Sequence, residues 1–148
     1  MREVHIVGIV SGLGPDDVFA AVTDIERFPA LCGDVREVHV DVSDGGQQSV
    51  WKVKFRGGIL EWTEHDERDP ASRTMSFCQV NGDFRQFAGE WRVEAAGADS
   101  AVRSSARFDL GIPALRAVLE PIAAKNLRGN LSAVLRGLFG SDLRFEEE

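Results

Sequence analysis

Seven segments of this chain alternate apolar and polar residues, and a single long helical stripe of apolar residues follows them. In one such segment Trp51, Val53 and Phe55 share a face, and basic residues alternate with them. Because successive side chains of a strand point to opposite faces, this pattern predicts antiparallel strands. The order predicts an α+β fold, a seven-stranded curved antiparallel sheet covering one long C-terminal helix. The predicted strands are 4–10, 36–42, 49–56, 59–68, 73–80, 84–95 and 101–110.

Two short helices are predicted between the first and second strands. Pro15 suits a first helical position, and the two acidic residues after it suit the positive end of a helix, which extends to about Thr23. A second short helix is predicted over 27–32. The long helix begins near Pro113, and its leucine-rich stripe continues to Phe139. An Asp44-Gly45-Gly46 sequence predicts a hairpin turn between two of the strands.

Length and charge exclude several classes of protein. A chain of 148 residues fits one domain, 1–148, of which we expect 141–148 to be a frayed tail. Net charge is −7 and the basic residues are scattered, which argues against a nucleic-acid surface. The N-terminal residues lack a secretory pattern and no apolar run is long enough to cross a membrane, so we expect a cytoplasmic protein. Cys32 and Cys78 lack metal-type spacing, and the sequence predicts neither a metal nor a cofactor.

The predicted architecture implies a cavity. One helix cannot fill the concave face of a strongly curved sheet, so space is expected between them. Apolar cavities with a few convergent polar groups are where proteins bind small molecules. We therefore expect an apolar pocket for a small molecule beneath the long helix. A monomer and a homodimer are both compatible with the sequence.

Several short motifs resemble one known superfamily. The stretch from Gly14 to Leu31 contains an Asp-Ile-Glu-x-aromatic-Pro core, Asp24 to Pro29. Further matches are Leu60-Glu61-Trp62, Gly89-Glu90-Trp91, Arg107 to Leu110, and Arg128-Gly129-Asn130. Together these segments resemble the START-like (helix-grip, SRPBCC) superfamily, and within it the single-domain bacterial polyketide aromatase/cyclases. The resemblance implies a helix-grip fold, a poly-ketone or other lipophilic ligand, and possible delivery by an acyl carrier protein.

Alternation assigns side chains to the predicted pocket. If Trp62 points inward, Glu64 and Asp66 do so too, and two buried carboxyl groups can exchange protons with a ligand. We expect Arg85 to share the inner face of its strand and to polarise a carbonyl or orient a carboxylate. These three are the candidate catalytic residues. The candidate substrate-binding residues are Phe28, Trp51, Phe55, Trp62, Phe87, Trp91 and Asn130.

Each assignment has a plainer alternative. The tryptophans would also serve as ordinary core, a single bulge would turn Glu64 and Asp66 to solvent, and an exposed arginine is common. Asn130 would also suit a helix polar residue that bonds only to backbone. Two departures from the aromatase/cyclases bear on mechanism, since Asp66 stands where that family has a substrate-anchoring arginine and Val35 where it has a tyrosine. Asp34, beside Val35, is retained.

Three functions remain open at this point. The family resemblance and the acidic pair favour a cyclase that closes a ring in a poly-ketone or related intermediate. The missing tyrosine and arginine favour a non-catalytic carrier of a lipophilic molecule such as a quinone or polyketide. A protein-interaction module has only the predicted strand edges in its favour.

Overall fold

The computed structural model describes residues 1–43 and 46–146, except for the side chain of Arg116. Asp44 and Gly45 of the predicted hairpin turn, and Glu147 and Glu148 of the predicted tail, lie outside the described residues. The described helices are α1 (Pro15–Thr23), α2 (Phe28–Leu31) and α3 (Arg116–Phe139). The described strands are β1 (Arg2–Val10), β2 (Val35–Ser43), β3 (Gly46–Phe55), β4 (Gly58–Asp69), β5 (Thr74–Gly82), β6 (Gln86–Ala96), β7 (Asp99–Asp109) and β8 (Leu143–Phe145).

One curved antiparallel sheet contains every described strand, in the order β2-β3-β4-β5-β6-β7-β1-β8. The strands from β2 to β7 follow one another as a meander, and β1 closes against β7. The long helix α3 packs on the concave face, which confirms the helix-grip architecture. Pro121 lies inside α3, which continues through it to Phe139.

Two short helices cover one end of the sheet. On α1, Val18 and Val22 are fully buried, and Phe19 packs with them in the main core. A 3₁₀ turn, Ile25–Arg27, leads directly into α2. This turn and α2 together bury Ile25 and Phe28, so the segment that carries the Asp-Ile-Glu-x-aromatic-Pro core forms one wall of the concavity.

The sheet has eight described strands rather than the predicted seven. The tail that was expected to be frayed over 141–148 is ordered up to Phe145. Leu143–Phe145 forms β8, which pairs antiparallel with Gly8–Val10 of β1. The backbone N–H of Glu146 also donates to the Val7 carbonyl oxygen at 2.9 Å. The segment is ordered because Leu143 and Phe145 pack against the main core.

The pairing of β4 with β5 contains a bulge, which lies in β5 and leaves the alternation of β4 intact. Thr63 pairs with Asn81, whereas Glu64 pairs with Gln79, so Val80 is the extra residue. Because the extra residue belongs to β5, successive β4 side chains still alternate between the two faces. Trp62, Glu64 and Asp66 are therefore all buried on the concave side.

Candidate functional site

A cavity with two lobes lies between the concave face of the sheet and α3. The large lobe has a volume of about 80 Å³ and the small lobe one of about 40 Å³. Val53, Phe87, Leu127 and Asn130 line both lobes, so the two lobes adjoin each other. The predicted pocket beneath the long helix is present, and in this conformation it is narrow.

Aromatic rings form the walls of the large lobe. Trp51 and Trp62 are a cross-strand pair on β3 and β4, and their rings stack with centroids 5.7 Å apart and planes 5° from parallel. Phe28 packs edge-on against Trp51 at 5.8 Å and against Trp91 at 6.2 Å. Aromatic pairs of this geometry contribute about 0.5–1.5 kcal/mol beyond their buried area. The wall is therefore a fixed surface against which a flat apolar molecule can lie.

Polar side chains line the next two cross-strand pairs of the same ladder, Ser49 with Glu64 and Gln47 with Asp66. The Oδ2 atom of Asp66 accepts hydrogen bonds from Ser49 Oγ at 2.6 Å and from Gln47 Nε2 at 3.0 Å. Ser49 Oγ in turn accepts from Trp51 Nε1 at 2.9 Å. The Ser49 hydroxyl proton must therefore point at Asp66. Ser49 and Gln47 both donate to the same oxygen of that carboxyl group, Oδ2.

The two carboxyl groups have different electrostatic environments. Burial raises the pKa of Glu64 well above its ordinary value, and the neighbouring Asp66 carboxylate raises it further, against a smaller opposing effect of the nearby Trp62 indole N–H. Burial also raises the pKa of Asp66, but the hydrogen bonds from Ser49 and Gln47 oppose that shift. Hydrogen bonds to the charged form favour it. Glu64 is therefore the group that holds a proton, and Asp66 the group that ionises first.

Replacing Glu64 by glutamine is expected to change how stability depends on pH. A carboxyl whose pKa is raised by folding stabilises the protein fully below its unfolded pKa, and that stabilisation is lost as the pH rises through the folded pKa. Relative to the melting temperature of the wild type, that of Glu64→Gln should therefore rise as the pH is increased from about 4.5. Each unit of pKa difference corresponds to about 1.4 kcal/mol, or roughly 2–5 °C in a chain of this size.

Calorimetry across this pH range provides the measurement, with Glu94→Gln as the matched control. Glu94 is an exposed glutamate on β6 and lines neither lobe of the cavity. The melting temperature of the control should differ from that of the wild type by the same amount at every pH. A Glu64→Gln curve that also stays parallel would show that Glu64 does not gain its proton on folding.

The cavity brings together most of the residues that the sequence nominated. The large lobe is lined by Glu64, Asp66 and six of the candidate binding residues, and the small lobe by Phe55. Trp62, Glu64 and Asp66 are 8%, 3% and 3% exposed, respectively, so the solvent-facing alternative for the acidic pair does not hold. The six binding residues of the large lobe are Phe28, Trp51, Trp62, Phe87, Trp91 and Asn130.

The expectation that Arg85 shares the inner face is wrong. Its side chain is 65% exposed and makes an ion pair with Asp109 at 4.0 Å. Arg85 precedes β6, which begins at Gln86, so the alternation of that strand does not extend to it. Arg85 lines neither lobe of the cavity and has no position from which to polarise a bound carbonyl.

Sequence reasoning missed three residues that shape the site, Gln47, Ser49 and Cys32. Gln47 and Ser49 share the inner face of β3 with Trp51, and the alternation would have included Gln47 had the strand been started earlier. Val35, which replaces the family's tyrosine, lines the large lobe and leaves it without a polar group there. The Cys32 thiol donates to Asn130 Oδ1 at 3.5 Å, so Asn130 bonds a side chain rather than only backbone.

Two further searches concern metals and membranes. Within residues 1–43 and 46–146, no group of three or more His, Cys, Asp or Glu side chains is arranged to hold a metal ion. In the same part of the chain, no helix has both the length and the apolar character needed to cross a membrane.

Comparisons with solved structures show the same fold. The structure is similar to that of TTHA0849 from Thermus thermophilus, with a TM-score of 0.82, 24% identity, and coverage of 93% of this chain and 94% of that one. It is also similar to the Zhui aromatase/cyclase from Streptomyces sp. R1128, with a TM-score of 0.76, 18% identity, and coverage of 95% and 93%. A START superfamily protein from Mycobacterium smegmatis gives a TM-score of 0.78, 15% identity, and coverage of 94% and 97%.

These structural likenesses establish the fold, and a match to a family model goes further. No curated protein matches the chain. The model described as polyketide cyclase/dehydrase and lipid transport, however, matches residues 12–135, which include every cavity-lining residue named above. The chain therefore belongs to the polyketide cyclase/dehydrase and lipid-transport family, within the START-like superfamily.

Proposed function

We propose that this chain is an enzyme that closes a ring in a poly-ketone or a related biosynthetic intermediate. The observation that carries the proposal is the pair of buried carboxyl groups on one wall of an otherwise apolar cavity, with their proton affinities set apart. Two carboxyls with separated pKa values suit general acid–base catalysis, because one can donate a proton while the other accepts one. Family membership and the likeness to an aromatase/cyclase point to the same chemistry.

Asp66 is the general base in this mechanism. A methylene group between two carbonyls is acidic enough for a carboxylate to remove one of its protons once the chain is held in place. Asp66 Oδ2 is occupied by Ser49 and Gln47, so Oδ1 is the atom that takes the proton. The resulting enolate carbon then attacks a second carbonyl carbon of the same molecule and forms the new ring bond.

Glu64 is the general acid. Its proton passes to the oxygen of the attacked carbonyl, which becomes a hydroxyl group, so that no free alkoxide develops in the apolar cavity. Asp66 is then protonated and Glu64 ionised, and a proton moving between them through solvent restores the starting state. In a second cycle, Asp66 removes a proton from the carbon next to the new hydroxyl, and Glu64 protonates that hydroxyl, which leaves as water. The aromatic walls favour the folded conformation of the substrate throughout.

The test supplies a poly-ketone on its carrier and follows its fate. A ketosynthase and an acyl carrier protein would make the chain in situ, with and without this protein, and chromatography with mass spectrometry would identify the ring formed. We expect one cyclised product in place of a mixture of spontaneous products. The rate should rise with pH as Asp66 ionises and fall again as Glu64 does. An unchanged product mixture would rule out the proposal for that substrate.

A second candidate is a non-catalytic carrier of a lipophilic molecule. The observation that favours it is Val35, because the apolar wall there lacks the polar group that the aromatase/cyclases have. The family model itself includes lipid transport. Native mass spectrometry of the purified protein separates the two functions, since a carrier should retain an unaltered lipophile and an enzyme should release its product.

A further inference from the structure

Three buried polar atoms of β4 have no hydrogen-bond partner within the described part of the chain: Trp62 Nε1, Glu64 Oε2 and Asp66 Oδ1. All three residues line the large lobe of the cavity. Leaving one such group unpaired costs about 1–3 kcal/mol, so buried polar groups are almost always bonded to something. Three of them on one wall of a cavity indicate a ligand that supplies the missing partners.

The chemistry of each atom determines which partner it needs. An indole N–H is only a donor. The Trp62 N–H is close enough to the Glu64 carboxyl to oppose the rise of its pKa but has no partner of ordinary hydrogen-bond geometry, so an acceptor on the ligand would complete it. A protonated Glu64 also donates, which again calls for an acceptor such as a carbonyl oxygen. An ionised Asp66 only accepts, and its free Oδ1 therefore requires a ligand group that carries a proton, such as a hydroxyl or an enol.

The charge of the lobe restricts the ligand further. Among the described residues that line the large lobe, none is Lys, Arg or His. Lys54 lines only the small lobe, where it is exposed, and Arg85 points to solvent. A carboxylate in the large lobe would lose its hydration, find no cation and lie beside Asp66. Both effects oppose the binding of an anion.

We infer that Trp62, Glu64 and Asp66 form a subsite for a neutral ring compound that bears both a carbonyl oxygen and a hydroxyl or enol group, and that this subsite rejects carboxylates. The stacked indoles of Trp51 and Trp62 provide the flat surface for the ring. The inference rests on the proposed function in using the same pocket, and it adds the class of molecule that the pocket accepts. A ligand that would place a carboxylate group in this subsite is excluded.

Calorimetric titration of the whole chain at about pH 7 with three matched probes tests this inference. The probes are 6-acetyl-2-naphthol, which has a ketone and a hydroxyl, 2-acetylnaphthalene, which lacks the hydroxyl, and 6-hydroxy-2-naphthoate, which carries a carboxylate. We expect the acetylnaphthol to bind about tenfold more tightly than either of the other probes. The acetylnaphthalene lacks the hydroxyl that Asp66 would accept from, and the naphthoate adds a negative charge. Equal affinities, tighter binding of the naphthoate, or no binding of any probe would overturn the inference.

Two variants identify the residues responsible. Asp66→Asn should reduce the preference for the acetylnaphthol over the naphthoate by about tenfold, because the negative charge that repels the acid is gone. Glu67→Gln, which removes an exposed acid from the neighbouring position, should leave the preference unchanged. An Asp66→Asn protein that is folded, as judged by circular dichroism, yet keeps the full preference would also overturn the inference.

The outcome is separable from that of the proposed function because none of the probes contains a poly-ketone chain that can cyclise. Selective binding without turnover of a poly-ketone would leave this inference standing and remove the proposed enzyme. Turnover of a poly-ketone without selectivity among the probes would support the proposed enzyme and overturn this inference.

Discussion

Replacing Asp66 by asparagine is expected to lower the rate of ring closure by a factor of about 10²–10⁴, the usual contribution of a positioned general base. Asparagine has the same shape and its carbonyl oxygen can still accept from Ser49 and Gln47, so the wall of the cavity should persist. What it loses is the ability to take a proton from carbon. The rate of product formation at saturating poly-ketone, followed by chromatography, provides the measurement.

The control for this prediction is Glu67→Gln on the adjacent, outward-facing position of β4. It removes the same charge from the protein as a whole and should retain the wild-type rate within about twofold, as exposed substitutions remote from a site usually do. Melting curves of both variants would show that each is folded. An Asp66→Asn rate within a factor of about three of the wild type would mean that another group is the base.

Replacing Gly89 by alanine is expected to cost about 2–4 kcal/mol of folding stability, the upper range for overpacking a core. A Cβ atom there would overlap the carbonyl oxygen of Ser105 and lie 2.5 Å from Phe77 Cζ. Neither can move freely, because Ser105 belongs to the adjacent strand and the Phe77 ring stacks on Phe87, 5.5 Å away, in the cavity wall. The melting temperature should fall by roughly 5–15 °C.

Gly129→Ala is the same chemical change, but it is expected to raise folding stability rather than lower it. Gly129 lies in α3 with nothing within 4 Å of where a Cβ atom would be. Alanine there should stabilise the protein by about 0.5–1 kcal/mol, because glycine loses more conformational freedom in a helix. Chemical denaturation of both variants measures the difference. Similar stabilities for the two alanine variants would contradict the close approach of β6 and β7 at Gly89.

The sequence predicted the architecture well because alternation and helical periodicity both reflect burial, which the final fold also satisfies. The inward orientation of Glu64 and Asp66 could be predicted from Trp62 alone, since two-residue periodicity holds along any uninterrupted strand. That prediction depended on where a bulge would occur. The bulge at Val80 lies on the partner strand, a fact that only the pairing register reveals.

Arg85 and the tail show where such reasoning ends. Alternation was extended to Arg85, but the residue precedes β6 and its backbone does not follow the strand. Leu143–Phe145 is three residues long and precedes three glutamates, too short a pattern to distinguish from a solvated end. The hydrogen bonds from Gln47 and Ser49 to Asp66 could not be predicted either, because they depend on cross-strand register rather than on composition.

The short β8 strand also affects how the protein behaves at high concentration. An unpaired strand edge is a template on which another molecule can add its own strand, the first step of aggregation. β8 covers the apolar half of the β1 edge, and the other half carries Arg2, Glu3 and His5. The opposite edge, β2, alternates charged residues along its length. β8 is then itself the edge strand, but it is only three residues long. Both ends of the sheet are thus protected against edge-to-edge growth, one by a very short edge strand and the other by charge.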